Sequence, residues 1–532
     1  MRISPFFGSR TRVARWSSGL LGNLNFPSRS KRWSLAICAL ILTSVFSLLA
    51  QTKPTGEPTK PDFAQVQKYI QKQMAAESTP SVTIAVGRRG EIVWEGGFGW
   101  ADKERGIKAG ANTPYLLASV TKSITGTALM VLQEQGKLDL DRPVNQYLGT
   151  AKVHSPMWDA SQATVRRMAT HTAGLTTYAR DCALDERDCR VSIDTAIERY
   201  GILFWPPGDH FDYSNLGYGI LGDVIARASG KSYGDFLRDE IFQPLGMSDC
   251  GLRLTPKQQE RAAAQYDQTT HRRSPARNSD HEAASSVRCS VHDLARFGMF
   301  TLNQHVSGQK AILSETSRNA MLNITIDAGD GQSYGLGWWA DPNLNGYRVS
   351  YGAGGTTDEA AALYMLPSEG IVIAVLANTG TIVTSKIVEE TLSAMLSRFR
   401  EERYRKAESA KPHTETAPEK PHPTALSGTW TGEIQTWKGA VPLTLVISAA
   451  GAQARVGSQS DHTFESASVE DRSLYGVVQG DIGTPDAPRP PYNLEFNLYQ
   501  REDALVGAVT TRTLPNQDGA ALSYWVTVKR TP

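Results

Sequence analysis

One proline-rich break constrains this chain more than any other feature. Residues 409–424 read SAKPHTETAPEKPHPT, with four prolines and no large apolar side chain. A stretch with nothing to bury cannot join a core and reads as a semi-rigid linker. It obliges the chain to build separate cores, as a length of 532 residues also suggests. The two sides of the break differ in pattern. Upstream, Phe63, Val66, Tyr69, Ile70 and Met74 recur at helical spacing and predict a helix over 63–77. Strands are predicted at 81–86 and 91–98, and helices at 119–135, 216–229, 233–241 and 291–302. Strand patterns return at 335–339, 346–351, 360–366 and 371–377, and a charged amphipathic helix at 384–406 ends the unit. Downstream, short alternating strands at 428–434, 442–448, 493–499, 504–510 and 522–528 predict a small antiparallel β domain or barrel over 425–532. The fold class is therefore α+β over 62–408, followed by this all-β unit. No internal repeat or heptad run is present.

The N-terminus reads as an address. Residues 1–32 hold seven Arg or Lys and no acid, and an apolar run from Trp33 to Ala50 follows. A basic segment before an apolar one is the pattern of an export signal. The run is also long enough for an uncleaved anchor. Leu48 is a poor minus-three residue for cleavage after Ala50, so 1–51 reads as export signal or signal anchor, and 52–61 as a tether. The expected location is periplasmic, secreted or membrane-anchored facing outward. The membrane would be a partner only through that anchor.

Net charge narrows the partners. The formal total of +2 hides 49 basic against 54 acidic residues beyond position 32. A mildly acidic body argues against nucleic acid. Four of the five cysteines, Cys182, Cys189, Cys250 and Cys289, follow the apolar segment. An exported chain permits disulfides in any of three pairings, and Cys182–Cys189, closing a short loop, is the one expected. Four free thiols are the alternative. No Cys-x-x-Cys occurs and the ten histidines are scattered, so neither a metal nor a cofactor is expected.

The chemistry starts at Ser119-Val120-Thr121-Lys122, which opens an apolar helix (Ile124, Ala128, Leu129, Leu132). Positions i and i+3 share a helical face, so the Lys122 amine reaches the Ser119 hydroxyl. A serine needs such a base, because its free hydroxyl is a weak nucleophile. The helix N-terminus adds free amides and partial positive charge. Alone the motif is weak. Ser28–Lys31 and Ser307–Lys310 repeat it without meaning, and Ser119 could simply cap a helix. The chain's single Tyr-x-Asn, Tyr213-Ser214-Asn215, follows Pro206-Pro207-Gly208 and precedes an apolar helix. A phenol near a lysine ammonium relays protons, and Asn215 can bond both that lysine and a substrate amide. Turn chemistry is the plain alternative.

With five stretches in place, the chain resembles class C β-lactamases, D-Ala-D-Ala carboxypeptidases and related serine esterases of the penicillin-binding-protein superfamily. They are the Ser119 segment, MATHTAGL at 168–175, the Tyr213 loop, DEIFQPLGMSD at 239–249 and AASSVRCSVHDLARFG at 283–298. The resemblance covers about two-thirds of the chain. It implies a five-stranded antiparallel sheet packed by helices, a mostly helical subdomain and a site between them. It also implies that His171 is structural, whereas Asp293 reads as a helix cap or dipole partner. One motif departs. Relatives carry Lys-Thr-Gly or His-x-Gly on the strand lining the site, and here that stretch is Gly352-Ala353-Gly354-Gly355. The cation position falls on Gly352. The amides of Ser119 and Gly355 are the expected oxyanion hole, and Gly352, Gly354 and Gly355 the expected substrate-lining backbone. Arg348 shares Gly352's strand face but sits about 13 Å away at roughly 3.3 Å per residue. In the β domain, Trp430, Trp437 and Trp525 read as core residues before they read as a ligand platform.

The reading is a serine hydrolase with Ser119 as nucleophile, Lys122 and Tyr213 as proton handlers and Asn215 as a substrate contact. Its partner would be a small-molecule or peptide substrate: an ester, amide or peptide, cell-wall-derived or β-lactam compounds included. The alternative is a binding or sensing protein of the same scaffold, catalytically weakened by loss of the cation.

Overall fold

Nine strands build the central layer. In chain order they are β1 (Ser81–Arg88), β2 (Glu91–Asp102), β3 (Ile107–Lys108), β4 (Ile326–Gly329), β5 (Gln332–Tyr334), β6 (Trp339–Leu344), β7 (Tyr347–Gly355), β8 (Ala360–Leu366) and β9 (Ile371–Ala377). The computed structural model describes residues 62–183, 191–275, 277–409, 425–449, 451–470, 472–487, 490–514 and 519–531. The expected export segment, the tether and nearly all of the linker lie outside them. The strand order is β3-β2-β1-β9-β8-β7-β6-β5-β4, antiparallel throughout. Five of these strands, β2-β1-β9-β8-β7, match the expected sheet; the other four extend its edges. The join of β1 to β9, from Val82↔Ala377 to Arg88↔Ile371, closes the sheet between distant ends of the domain.

β9 is buried along its whole length, which is why it reads as an unbroken apolar run. The helix Val291–Thr301 covers one face, with Gly298 against Val372 and Leu363. The helix Val383–Met395 covers the other, where the Tyr364 phenol hydrogen-bonds Ser385. The helix expected over 384–406 is two helices, because Leu396 is extended between Val383–Met395 and Ser397–Ser409.

The helical subdomain holds the short helices Val165–Ala169, Ile193–Tyr200 and Tyr233–Leu237 around the longer Asn215–Ser229. Between it and the sheet runs Thr121–Glu134, with twelve of its residues buried. The strand expected at 335–339 is instead a turn between β5 and β6, with the Gly335 N–H donating to Trp338 O. That turn presses on the helix: a Cβ on Gly126 would lie 2.2 Å from Leu336 O. Only glycine permits so close a backbone approach.

The C-terminal unit is an antiparallel half-barrel. Its strand order runs from His462–Thr463 through Gly451–Val456, Gly439–Ser448, Gly428–Thr436, Ala520–Arg530, Ala504–Arg512, Tyr492–Arg501 and Ser473–Gly480 to Ser466–Glu470. Pattern reading found five of these nine strands. The other four lie at 451–480, where short runs and polar residues weaken the alternation. Trp430 and Trp525 are buried, and Trp437 is partly buried with its indole N–H on Asp486 Oδ1 at 3.0 Å. The last strand also pairs with the N-terminal α+β unit, through Ala520↔Arg180 and Ala521↔Ala179. Cys250 and Cys289 form a disulfide with Cα atoms 4.0 Å apart. The expected Cys182–Cys189 pair involves side chains outside those described. Among the described residues, no helix is long and apolar enough to cross a membrane.

Candidate active site

Ser119 lies in a 3-10 turn, Ala118–Val120, that feeds the helix Thr121–Glu134. The residue before it, Ala118, has φ +44°, a left-handed conformation rare outside glycine. Such strain persists only where the surroundings over-determine it. Here the Leu117 N–H donates to Val287 O at 2.8 Å and the Val120 N–H to Leu117 O at 3.1 Å. Ser119 does not cap the helix; Val120 occupies that position without a side-chain bond.

Lys122, one turn on, is 1% exposed. Its Nζ donates to Ser119 Oγ at 3.1 Å, Asn215 Oδ1 at 2.7 Å and Ala284 O at 3.0 Å. Two of these acceptors have no proton to give. A carbonyl and an amide oxygen must each receive an N–H, so the third direction of the nitrogen is the one that faces Ser119. In the neutral amine, the lone pair falls there. Asn215 is held in turn, its Nδ2 donating to Tyr178 O at 3.0 Å, which also settles which way the amide points.

The Tyr213 phenol hydrogen-bonds Ser119, and Lys122 Nζ lies 4.7 Å from its ring centroid. Burial pushes this phenol well above its usual range, only partly opposed by the Ser119 bond. It therefore stays protonated at neutral pH. Ser214, between Tyr213 and Asn215, caps the helix Asn215–Ser229 by accepting from the Gly217 N–H at 3.3 Å. The Tyr-x-Asn loop thus performs turn chemistry and also delivers its two flanking side chains to Lys122.

His171 is buried and hydrogen-bonded, as expected. Its Nδ1 accepts from the Ser214 N–H at 3.1 Å, and its ring lies 4.3 Å from that of Tyr213. Burial, and then the Lys122 charge, hold it well below the usual histidine range, so it is a neutral wedge under the tyrosine loop. Asp293 sits in the first turn of Val291–Thr301, where Ser290 is the cap. Its carboxylate accepts from the Asp249 N–H at 2.6 Å.

Gly352 does not have positive φ, so its backbone would accept any residue. What is missing is space. A Cβ there would lie 3.1 Å from Ser123 Oγ and 3.4 Å from Val120 Cγ1, and Ser123 Oγ is fixed by donating to Gly337 O at 2.6 Å. A Cβ on Gly354 would come within 2.5 Å of the Ser119 nitrogen, so β7 meets the Ser119 turn backbone to backbone. Gly355 pairs with Ala360 at the end of this strand. Arg348 does not replace the cation: it donates to Leu322 O at 3.1 Å and Asn323 Oδ1 at 3.3 Å, capping a helix end.

Sequence reasoning missed the Ala284 carbonyl and an aromatic wall. Ala284 lies within AASSVRCSVHDLARFG, so the stretch was marked but not its role. Trp339 stacks on Tyr213 with centroids 6.4 Å apart, and Phe211 and Tyr334 lie against the indole at 5.7 and 4.9 Å. These residues come from separate segments that no local pattern connects.

The sequence model of the Beta-lactamase family matches residues 66–393. Protein flp of Staphylococcus aureus (strain N315) is 25% identical over 330 residues, covering 61% of this chain and 65% of its own length. The chain thus spans just under two-thirds of that relative. The putative penicillin-binding protein PbpX of Bacillus subtilis (strain 168) is 24% identical over 335 residues, 58% of this chain and 80% of PbpX. Among solved structures, the octameric penicillin-binding protein homologue from Pyrococcus abyssi aligns with a TM-score of 0.55 at 21% identity. It covers 88% of this chain and all of its own. A class C β-lactamase aligns at 0.53 and 20% identity, over 65% of this chain and 98% of its own. With the family's segments matched across most of residues 62–408 and the fold shared, this chain belongs to the β-lactamase family of serine hydrolases and penicillin-binding proteins.

Proposed function

We propose that this protein is an exported serine hydrolase that acts through a Ser119 acyl-enzyme on esters, amides or peptides. The observation that carries the reading is the convergence of Ser119, Tyr213 and Asn215 on one buried lysine nitrogen. In acylation, Ser119 Oγ bonds to the substrate carbonyl carbon as its proton passes to neutral Lys122. The carbonyl oxygen takes the negative charge against the Ser119 and Gly355 amides. Tyr213, kept protonated by burial, gives its proton to the leaving oxygen or nitrogen and regains one from the Lys122 ammonium. Water then attacks the acyl carbon through the same relay run in reverse, which frees Ser119.

Gly352 sets the substrate preference. A cation on that strand would pair with a substrate carboxylate, a charge-assisted contact worth about 1.5–3 kcal/mol, or roughly ten- to a hundredfold. Here Ser123 and Val120 occupy that space, so neutral esters and amides are the better substrates and carboxylate-bearing β-lactams the poorer ones. The basic-then-apolar sequence before residue 52 supports export. The experiment is fluorophosphonate labelling and p-nitrophenyl ester turnover in wild type and Ser119→Ala. Labelling and turnover should both vanish in the variant while its melting temperature holds. A wild type that takes no label and turns over no ester would make the chain a binding protein instead.

A further inference from the structure

The C-terminal half-barrel touches two segments that support Tyr213 and Asn215, the residues beside Lys122. One segment is 176–180. Ser523 Oγ donates to Thr177 O at 2.8 Å, and Ala521 pairs with Ala179. Between those two contacts lies Tyr178, whose carbonyl holds Asn215. The other segment is 202–212. Tyr499 stacks on Trp205 with centroids 4.9 Å apart, and Trp525 packs on Phe204 at 5.9 Å. Ile202, Phe204, Val506 and Trp525 form a small core of their own across the junction. Trp205 passes the contact on, its indole N–H donating to Asp212 Oδ2 at 2.9 Å. Asp212 precedes Tyr213, donates its N–H to His171 O at 2.8 Å, and also receives a bond from Thr176 in the first segment. The two arms are therefore tied to each other as well as to the half-barrel.

The junction is built to stay closed. Asp486 of the β unit has a side chain 5% exposed and accepts hydrogen bonds from the Tyr200 phenol and from Arg199 at 3.2 Å, with Arg180 ion-paired at 3.7 Å. An exposed ion pair would hold little, whereas a desolvated cluster with hydrogen-bonded partners is costly to break.

Resting on the hydrolase reading above, we propose that the C-terminal half-barrel is a positioning domain of the active site. Tyr499 and Ser523 are its positioning residues, acting through Trp205 and Thr177 on Tyr213 and Asn215. Catalysis is steep in geometry, and a displacement near 1 Å can cost about a hundredfold. The test uses the full chain and three variants: Tyr499→Ala, which removes the ring; Tyr499→Phe, which keeps it; and Ser523→Ala. Turnover of a p-nitrophenyl ester is measured per Ser119 labelled by fluorophosphonate, so that loss of folded protein drops out.

Tyr499→Ala should lower kcat per labelled site by roughly ten- to a hundredfold with a smaller change in KM, and Tyr499→Phe should lie within about twofold of wild type. Ser523→Ala, which removes the bond to Thr177 O and the one shared with Thr510 Oγ1 inside the half-barrel, should fall between them and keeps the question open to test if Tyr499→Ala misfolds. Unchanged kcat per labelled site in Tyr499→Ala or Ser523→Ala would overturn the proposal, as would a Tyr499→Phe as slow as Tyr499→Ala. Failure of wild type to label would instead remove the hydrolase reading, so the two failures are distinguishable.

Discussion

Replacing Asn215 with Ala probes the lysine directly. The change deletes the acceptor 2.7 Å from Lys122 Nζ and the donor 3.0 Å from Tyr178 O. Lys122 then keeps Ala284 O and Ser119 Oγ. The missing bond matters most after proton transfer, when the nitrogen carries a full charge in a site with 1% exposure. A hydrogen bond to a charged group is worth about 1.5–3 kcal/mol, so with Lys122 acting as the proposed neutral base the transition state should rise by that much. The conversion is roughly tenfold to 150-fold in kcat. KM should change less, because the lost partner is an enzyme group. The assay is initial-rate kinetics on a p-nitrophenyl ester, with the rate of fluorophosphonate labelling as a second readout of Ser119 reactivity. Both should fall together. A variant that keeps kcat and labelling rate within about twofold of wild type would refute the argument that Asn215 fixes the direction of the Lys122 lone pair.

Three further outcomes follow from the geometry. Gly352→Ala should destabilise the fold by about 1–3 kcal/mol through overpacking on Ser123. A urea-unfolding cycle with Ser123→Ala should show less than additive loss, and strict additivity would mean that the side chains do not meet. Burial raises the Asp293 carboxyl to about 6, against 3.8 for the free group, with the Asp249 N–H only partly opposing it. The folded value is the higher one, so its stabilising contribution is present below about pH 4 and is lost as pH rises through 6, by about 3 kcal/mol in all. Asp293→Asn keeps an oxygen for the Asp249 N–H. The drop in unfolding free energy between pH 4 and 7.5 should shrink in this variant, and an equal drop would clear Asp293 of responsibility. Non-reducing peptide mapping should recover Cys250 linked to Cys289, and finding both alkylated without reductant would contradict that pair.

Local order in the sequence determined what local geometry can carry. The i to i+3 spacing of Ser119 and Lys122 is a property of one helical turn, so it needed no distant partner to be legible. Tyr213-Ser214-Asn215 was legible for the same reason, as a loop closing onto a helix start. The unbroken apolar run of β9 and the alternation of the β unit announced burial on two faces and on one. What the tertiary structure decided depends on residues far apart in the chain. Ala284 O reaches Lys122 across 162 positions, and Ser523 reaches Thr177 across 346. The fate of Gly352 also rests there. Its sequence suggested a lost cation, but the limit is volume taken by Ser123 and Val120 from a segment more than 200 residues earlier. Close packing leaves room for one side chain or its neighbour, and which of them occupies it is set only when the elements meet.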